Sequence, residues 1–410
     1  MRFTKFIAAF IICCYFSCGL SDDDVIGNPD PAPIDQITSA PCENGFAGPF
    51  PCNGYDLMGN ISVADMGASG ANDIWGWTDS NTGREYAIIG LDNGTAFIDI
   101  TNAQTPVLLG RLATATFNSV WRDIKVHNNY AFIVSEAPNH GMQVFNLERL
   151  RDVTNPPVDF TADNRFTGFG NAHNIVINET SGYAYAVGTS RGDAFNGGAH
   201  FIDISNPANP LANGGFASEG YTHDAQVITY SGPDNRYTGK EIFLGSNENR
   251  LVIADITDKA NPELISSINY ANRAYTHQGW FTENQQYFLL GDEIDELNFG
   301  FNSRTIIFDL TDLENPVVHH EYIGPTPAID HNGYVRGNEF FLANYTAGIR
   351  IINIADIANK NLVETGFFDT YPQSNSANMT GAWSVYPYFS SGNIIISDTE
   401  NGLFIIKKSD

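Results

Sequence analysis

The sequence predicts an all-β fold: a seven-bladed β-propeller of four-stranded antiparallel blades, its ring closed by an N-terminal strand. Three observations predict it. A strand-like text recurs about every 50 residues through most of the 410-residue chain, a period that calls for repeats packed on their neighbours. The composition is rich in Gly (38), Phe (28) and Tyr (18), only 17% charged, and without long amphipathic helical patterns, which favours strands. Finally, a segment ahead of the first repeat carries the text with which a repeat ends.

The first strands begin near Trp75 (WGWTDS), Arg122 (RDIKVH), His173 (HNIVIN), His223 (HDAQVITY), His277 (HQGWFT), His331 (HNGYVR) and Trp383 (WSVYPY). A second β-rich run follows each, from EYAIIG at Glu85 to NIIIS at Asn393. Third runs such as TAFIDITNAQTP and AHFIDISNPANP end in Asp and then Pro, which stop a strand and turn it. Fourth strands are patterned more loosely. Each such unit buries its faces only against its neighbours, as propeller blades do, whereas a solenoid needs another connectivity. The last repeat ends at Ile406 after its third strand, and Asp56 to Val63 (DLMGNISV) resembles the fourth-strand text VLLGRLA at Val107. The N-terminal segment is therefore expected to complete the last blade and leave no open edge.

Ahead of the propeller, residues 1–17 read as a secretory signal peptide: Arg2 and Lys5, then an uncharged apolar run too short to span a bilayer. The run ends Tyr15-Phe16-Ser17-Cys18, which resembles a bacterial lipobox with Tyr15 in place of the usual Leu. Cys18 is the expected lipidation site, ahead of Cys13, Cys14 or plain cleavage. Residues 18–41, acidic (Asp22-Asp23-Asp24) and then Pro-rich, bury little apolar surface and read as an extended tether. The folded part is expected from 42 to 410. Cys42 and Cys52 then remain, in a Gly- and Pro-rich loop of an exported chain, where a disulfide is the natural reading. A two-thiol metal site lacks further soft ligands.

The strings CENGFAGPFPC, EYAIIGLDNGTAFIDI, HGMQVFNLERLR, YTHDAQV, YTHQGW, LLGDEIDE, DHNGYV and GAWSVYPYFSSG together resemble the choice-of-anchor B family, whose members contain LVIVD-type propeller repeats. The resemblance runs from about Cys42 to Ile406. It implies a propeller held to the cell surface by a lipid or by a C-terminal sorting domain. No such domain follows Ile406, so the expected anchor is an outer-membrane lipid on Cys18. The resemblance carries no biochemical activity with it, and function has to be read from the site.

Four of the nine histidines stand at one repeat position: His173, His223, His277 and His331, each followed by a polar residue (Asn174, Asp224, Gln278, Asn332). Arg122-Asp123 is the equivalent pair in the second repeat, and Trp75 and Trp383 lie near this place in the first and last. In a blade the start of the innermost strand and the end of the second lie on the same face. Second strands end in Glu136, Glu248, Asp292-Glu293 and Asp398 with Glu400, so His and carboxylates are expected around one channel mouth.

Neutral imidazole and carboxylate suit a divalent transition metal, and a channel mouth is where propellers bind ligands. Equal spacing round a ring sets opposite blades apart, but three neighbours suffice for an open site. Three readings follow: a mouth presented to an extracellular ligand or surface protein; a metal-dependent hydrolase or oxidoreductase with Glu293 or Glu248 as base; and a structural ring in which each His bonds the next blade's backbone. The formal charge of −26 (21 Lys and Arg against 47 Asp and Glu) repels phosphate backbones and argues against nucleic acid. No P-loop, dinucleotide fingerprint or GxSxG is present, which disfavours nucleotide-dependent chemistry and serine hydrolysis.

Overall fold

A strand whose side chains are apolar on both faces needs a partner on each side, and the central strands here read that way. In the computed structural model, which describes residues 39–410, Glu85–Leu91 is buried at every position. Its Ile88 packs with Phe97, Ile124 and Phe145 of the first and second blades, while its Ile89 packs with Ala96, Ile395 and Ile405 of the first and seventh. Neighbouring side chains of one strand thus serve two different interfaces, which is how each blade is cemented between two others. The signal segment, Cys18 and the tether as far as residue 38 lie outside the described residues.

Seven sheets result, each built on four antiparallel strands as the sequence predicts, with added edge strands on the first and sixth. Their innermost strands are Ala71–Thr78, Arg122–His127, Asn174–Asn178, Asp224–Thr229, Thr276–Phe281, Gly333–Arg336 and Ala382–Tyr386. Among the described residues helix is confined to short pieces, such as Asp295–Phe299. Between third and fourth strands the register slips by a bulge in the first, third, fourth, fifth, sixth and seventh blades, bending the outer edge where twist accumulates.

Closure goes as expected and one step further. Tyr55–Ile61 pairs antiparallel with Gly402–Lys408 and supplies the fourth strand of the seventh blade. Cys42 and Cys52 form a disulfide with Cα atoms 6.0 Å apart, as the exported context suggests. The hairpin that it closes, however, belongs to the sixth blade, where Cys52 and Asn53 pair with Phe368 and Phe367. Phe50, 1% exposed, is wedged between Phe368 of the sixth blade and Phe404 of the seventh. Ordered pairing starts before Cys42, since Ala40 and Leu57 exchange backbone hydrogen bonds. A second edge is covered by Val158–Phe160, a loop strand of the second blade that runs parallel to Val107–Ala113 of the first.

Phe50→Ala removes a fully buried ring from the closing seam and is expected to lower stability by about 3 to 4 kcal/mol. Urea denaturation at fixed pH measures this; a loss below about 1 kcal/mol would show that the wedge does not hold the seam.

Candidate metal centre at the channel mouth

The first strands converge on the axis, so residues at their starts face one another across a narrow channel. The four histidines stand there as a stack. Ring centroids are 4.3 Å apart for His173–His223, 4.6 Å for His223–His277 and 4.4 Å for His277–His331. Glu293 reaches in from the end of the fifth blade's second strand, its oxygens 3.6 Å from Nε2 of both His277 and His331. Ligand atoms of His223, His277 and Glu293 all lie within 4.8 Å of one another. A cavity of about 660 Å³ opens above them, walled by Tyr221, Tyr275, Tyr345, Trp121 and Trp383.

Nδ1 is held in three of the four histidines, whereas the buried Nδ1 of His277 has no hydrogen-bond partner. Nδ1 of His331 donates to the Trp383 carbonyl at 2.5 Å, Nδ1 of His173 donates to Glu136 at 2.7 Å, and Nδ1 of His223 is bonded to the Tyr275 hydroxyl at 2.9 Å. Buried Nε2 atoms of His223 and His331 have no hydrogen-bond partner. Such groups are rare in folded proteins, because an unmet buried donor or acceptor costs about 1 to 3 kcal/mol. Tyr345 donates to Glu293 at 3.0 Å, so hydroxyls fix two of the three converging side chains from behind, as outer-shell groups do around metals.

Electrostatics divide the histidines. Burial, helped by the other rings, drives His223 and His277 well below the usual imidazole range, and burial takes His331 down to about 3, so all three are neutral near pH 7. His173 differs: burial opposes its charge, but the Glu136 hydrogen bond and charge outweigh it and the shift is upward. Burial likewise raises Glu293. Three neutral imidazole or carboxylate donors with one flank open to a cavity form the donor set of a first-row transition metal.

The polar residues after the histidines do a different job. Asp123 accepts from the Ile175 amide at 2.6 Å, Gln278 from the Gly333 amide at 2.9 Å, and Asn174 donates to the His223 carbonyl at 3.1 Å, each crossing to the next blade. Asp224 turns onto its own strand, accepting from the Ala225 amide, and burial followed by the Asp123 charge pushes it up to about 7. Asn332 is buried beside His331. Arg122, 2% exposed, donates to the Leu91 carbonyl and to His140, clamping the first blade to the second.

Three residues expected at the rim stand elsewhere. Trp75 is the fifth residue of its strand, beyond the mouth level, and lines the cavity at the opposite end of the channel; Asn72-Asp73 occupies the place it was given. Glu248 pairs with Arg191 at 2.7 Å and stays out of the cluster. Asp292 is buried and accepts from the Tyr270 hydroxyl and the Ala274 and Tyr275 amides, which aims Tyr275 at His223. Glu136 and Trp383 do join the mouth. Sequence reasoning missed Tyr275 and Tyr345. For Tyr275 a signal exists, because Tyr-Thr-His recurs at 221–223 and 275–277.

Beneath the mouth, Lys125 donates to Asp123 at 2.5 Å and to Asp73 at 3.3 Å, all three nearly out of water. Behind the fifth blade a second acidic group is buried: both oxygens of Asp330 lack partners, and burial followed by the Asp295 carboxyl pushes Glu296 up to about 9.

Two stretches of the chain, residues 170–217 and 239–270, match the LVIVD repeat; they hold the third blade with His173 and the outer three strands of the fourth. No curated protein matches the chain. Among solved structures, the propeller domain of Cps50 (Swd1) from Myceliophteria thermophila is 12% identical with a TM-score of 0.53, covering 88% of this chain and 100% of that one. Hydrazine synthase from Kuenenia stuttgartiensis is 10% identical with a TM-score of 0.55, over 79% of this chain and 92% of that one. A protein from Lactobacillus plantarum is 12% identical with a TM-score of 0.53, over 80% and 88%. At these identities the likeness is one of fold alone.

The protons held on Glu296 and Asp330 bear on stability. An acid raised in the folded state holds a proton that the unfolded chain has released above its ordinary value of 4.5, so its contribution falls as pH climbs towards 9. The neutral histidines act oppositely, and only below their ordinary value of 6.5. From pH 6.5 to 9 the melting temperature of the metal-free protein is therefore expected to fall, and Glu296→Gln to flatten that fall. Calorimetry at constant ionic strength checks it; a flat or rising profile would mean that Glu296 is ionised in the fold.

Proposed function

We propose that this LVIVD-repeat propeller is a cell-surface binding protein of the choice-of-anchor B kind, exported through residues 1–17 and held to the outer membrane by a lipid on Cys18. In this reading its His-lined mouth captures an extracellular ligand through a divalent transition metal. One observation carries the metal: ligand atoms of His223, His277 and Glu293 converge within 4.8 Å, and the buried Nε2 of His223 has no other partner. An ion there would replace that missing interaction, with Nδ1–H of His223 donating to Tyr275 so that Nε2 presents its lone pair. His331 stands beside the triad on the other oxygen of Glu293. The aromatic walls suit a ligand with a metal-seeking polar head and an apolar body.

A second reading, catalysis at the same centre, is favoured by His173. It stands outside the triad, its ring 4.3 Å from that of His223, and Glu136 supports its protonation, where a general acid would stand. The anchoring part of the proposal rests on the N-terminal sequence alone.

Metal analysis of the chain purified without chelator or polyhistidine tag should give close to one Zn, Cu or Ni per chain, lost in a His223→Ala, His277→Ala double variant. A chain that is metal-free as purified and takes up no Zn²⁺ in calorimetric titration would overturn the metal reading. Cys18→Ala is expected to abolish metabolic labelling with palmitate and release the protein from the membrane fraction; labelling that persists would remove Cys18 as the anchor.

A further inference from the structure

The channel has a second mouth, and the metal reading makes no use of it. There the ends of the first strands enclose a cavity of about 500 Å³, within the range of small-ligand sites. Its wall is split by character. On one side stand Trp75, Trp280, Tyr386 and Tyr388, all half-buried. They are joined edge to face through Tyr334, at 5.7 Å for Trp75–Tyr334 and 5.0 Å for Trp280–Tyr334, with Trp75–Tyr386 at 5.1 Å. On the other side aliphatic side chains, among them Val126, Ile177 and Ile228, alternate with Glu179 and Thr180, both exposed, and with Gln226 of the neighbouring blade, which bring carboxylate, hydroxyl and amide groups. The shallower hollow that continues beside it shares Trp75, Tyr386 and Glu179.

The floor selects against charge. Lys125 spends its three ammonium protons on Asp123, Asp73 and the Ile124 carbonyl, so it has none left for an anion, and the carboxylates around it repel one. Its Nζ also lies 4.6 Å over the Trp75 ring, occupying the face that a cationic ligand would need. What remains is a neutral molecule with an apolar face for the aromatic side and polar edges for the other. A pyranose with equatorial hydroxyls has that form: its ring faces carry C–H groups and its rim carries hydroxyls.

We infer that the mouth opposite the histidines is a carbohydrate site for a neutral, β-linked, gluco-configured saccharide, stacked on Trp280 with its hydroxyls turned to Glu179, Thr180 and Gln226. The site is independent of the metal reading. It places a glycan subsite at one end of the channel and the proposed metal-borne ligand at the other.

Titration of the full-length chain with cellotriose and with chitotriose, followed by tryptophan fluorescence and ligand-observed NMR, tests the assignment. Saturable binding of at least one is expected, with an affinity that Trp280→Ala lowers at least tenfold, Glu179→Ala lowers several-fold, and EDTA leaves unchanged. Glu179 is exposed, so its variant keeps the test open should Trp280→Ala fail to fold. No saturation by either sugar up to roughly 10 mM, the weak end of specific affinity, would overturn the proposal. So would binding that both variants leave intact, or displacement of the sugar by tetramethylammonium, which would mark a cation cage instead.

Discussion

Everything at the centre of this molecule depends on one kind of contact: a first-strand side chain that crosses the gap to the next blade and engages its main chain. Asp123 does so to Ile175, Asn174 to His223, Gln226 to Phe281 and Gln278 to Gly333. Hydrophobic packing between blades is non-directional and tolerates sliding, whereas a hydrogen bond to a single amide fixes height along the axis. The His stack follows from this. Rings on four successive blades meet at 4.3 to 4.6 Å only because the strands carrying them are set at matching levels.

That division of labour separates residues that the sequence presents as one motif. In the pairs His173-Asn174 and His277-Gln278 the two members face different ways, the imidazole towards the mouth and its neighbour towards the adjoining blade, because successive strand residues alternate sides. The structural reading of the repeat thus applies mainly to the second member. Among the imidazoles, His331 bonds the next blade's backbone through Trp383, while His223, His277 and His331 each keep one unmet ring nitrogen.

The ring was legible because repetition states it seven times, and closure because DLMGNISV has a visible counterpart in VLLGRLA. The mouth was legible through Glu136, Glu293 and the four histidines, whose positions recur with the repeat. What escaped lies off that period. The first blade was read three residues late, since WGW catches the eye as a strand start while the working positions are Asn72 and Asp73. Tyr345 stands where Glu248 stands in the fourth blade, each bridging to the next blade's first strand, but a tyrosine there breaks the run of carboxylates, and its bond to Glu293 depends on how the sixth blade sits against the fifth. Glu248 has the right spacing but a nearer cation in Arg191, and local charge pairing overrides a positional argument. The sixth-blade hairpin is hidden for a similar reason: no pattern in PCENGFAGPFPC says which of two adjoining blades it will edge.

The way the N-terminal segment enters the ring has a mechanical consequence. A pull on the chain ahead of Ala40 meets first the paired amides of Ala40 and Leu57, and then the disulfide, through which tension passes from Cys42 straight to Cys52. The intervening loop with Phe50 carries none of it. Tension delivered to Cys52 is met by its pairing with Phe368 in the sixth blade, and only beyond it by the pairing of Tyr55–Ile61 with Gly402–Lys408. The loop that carries Phe50 is thus shielded from traction by a covalent bypass.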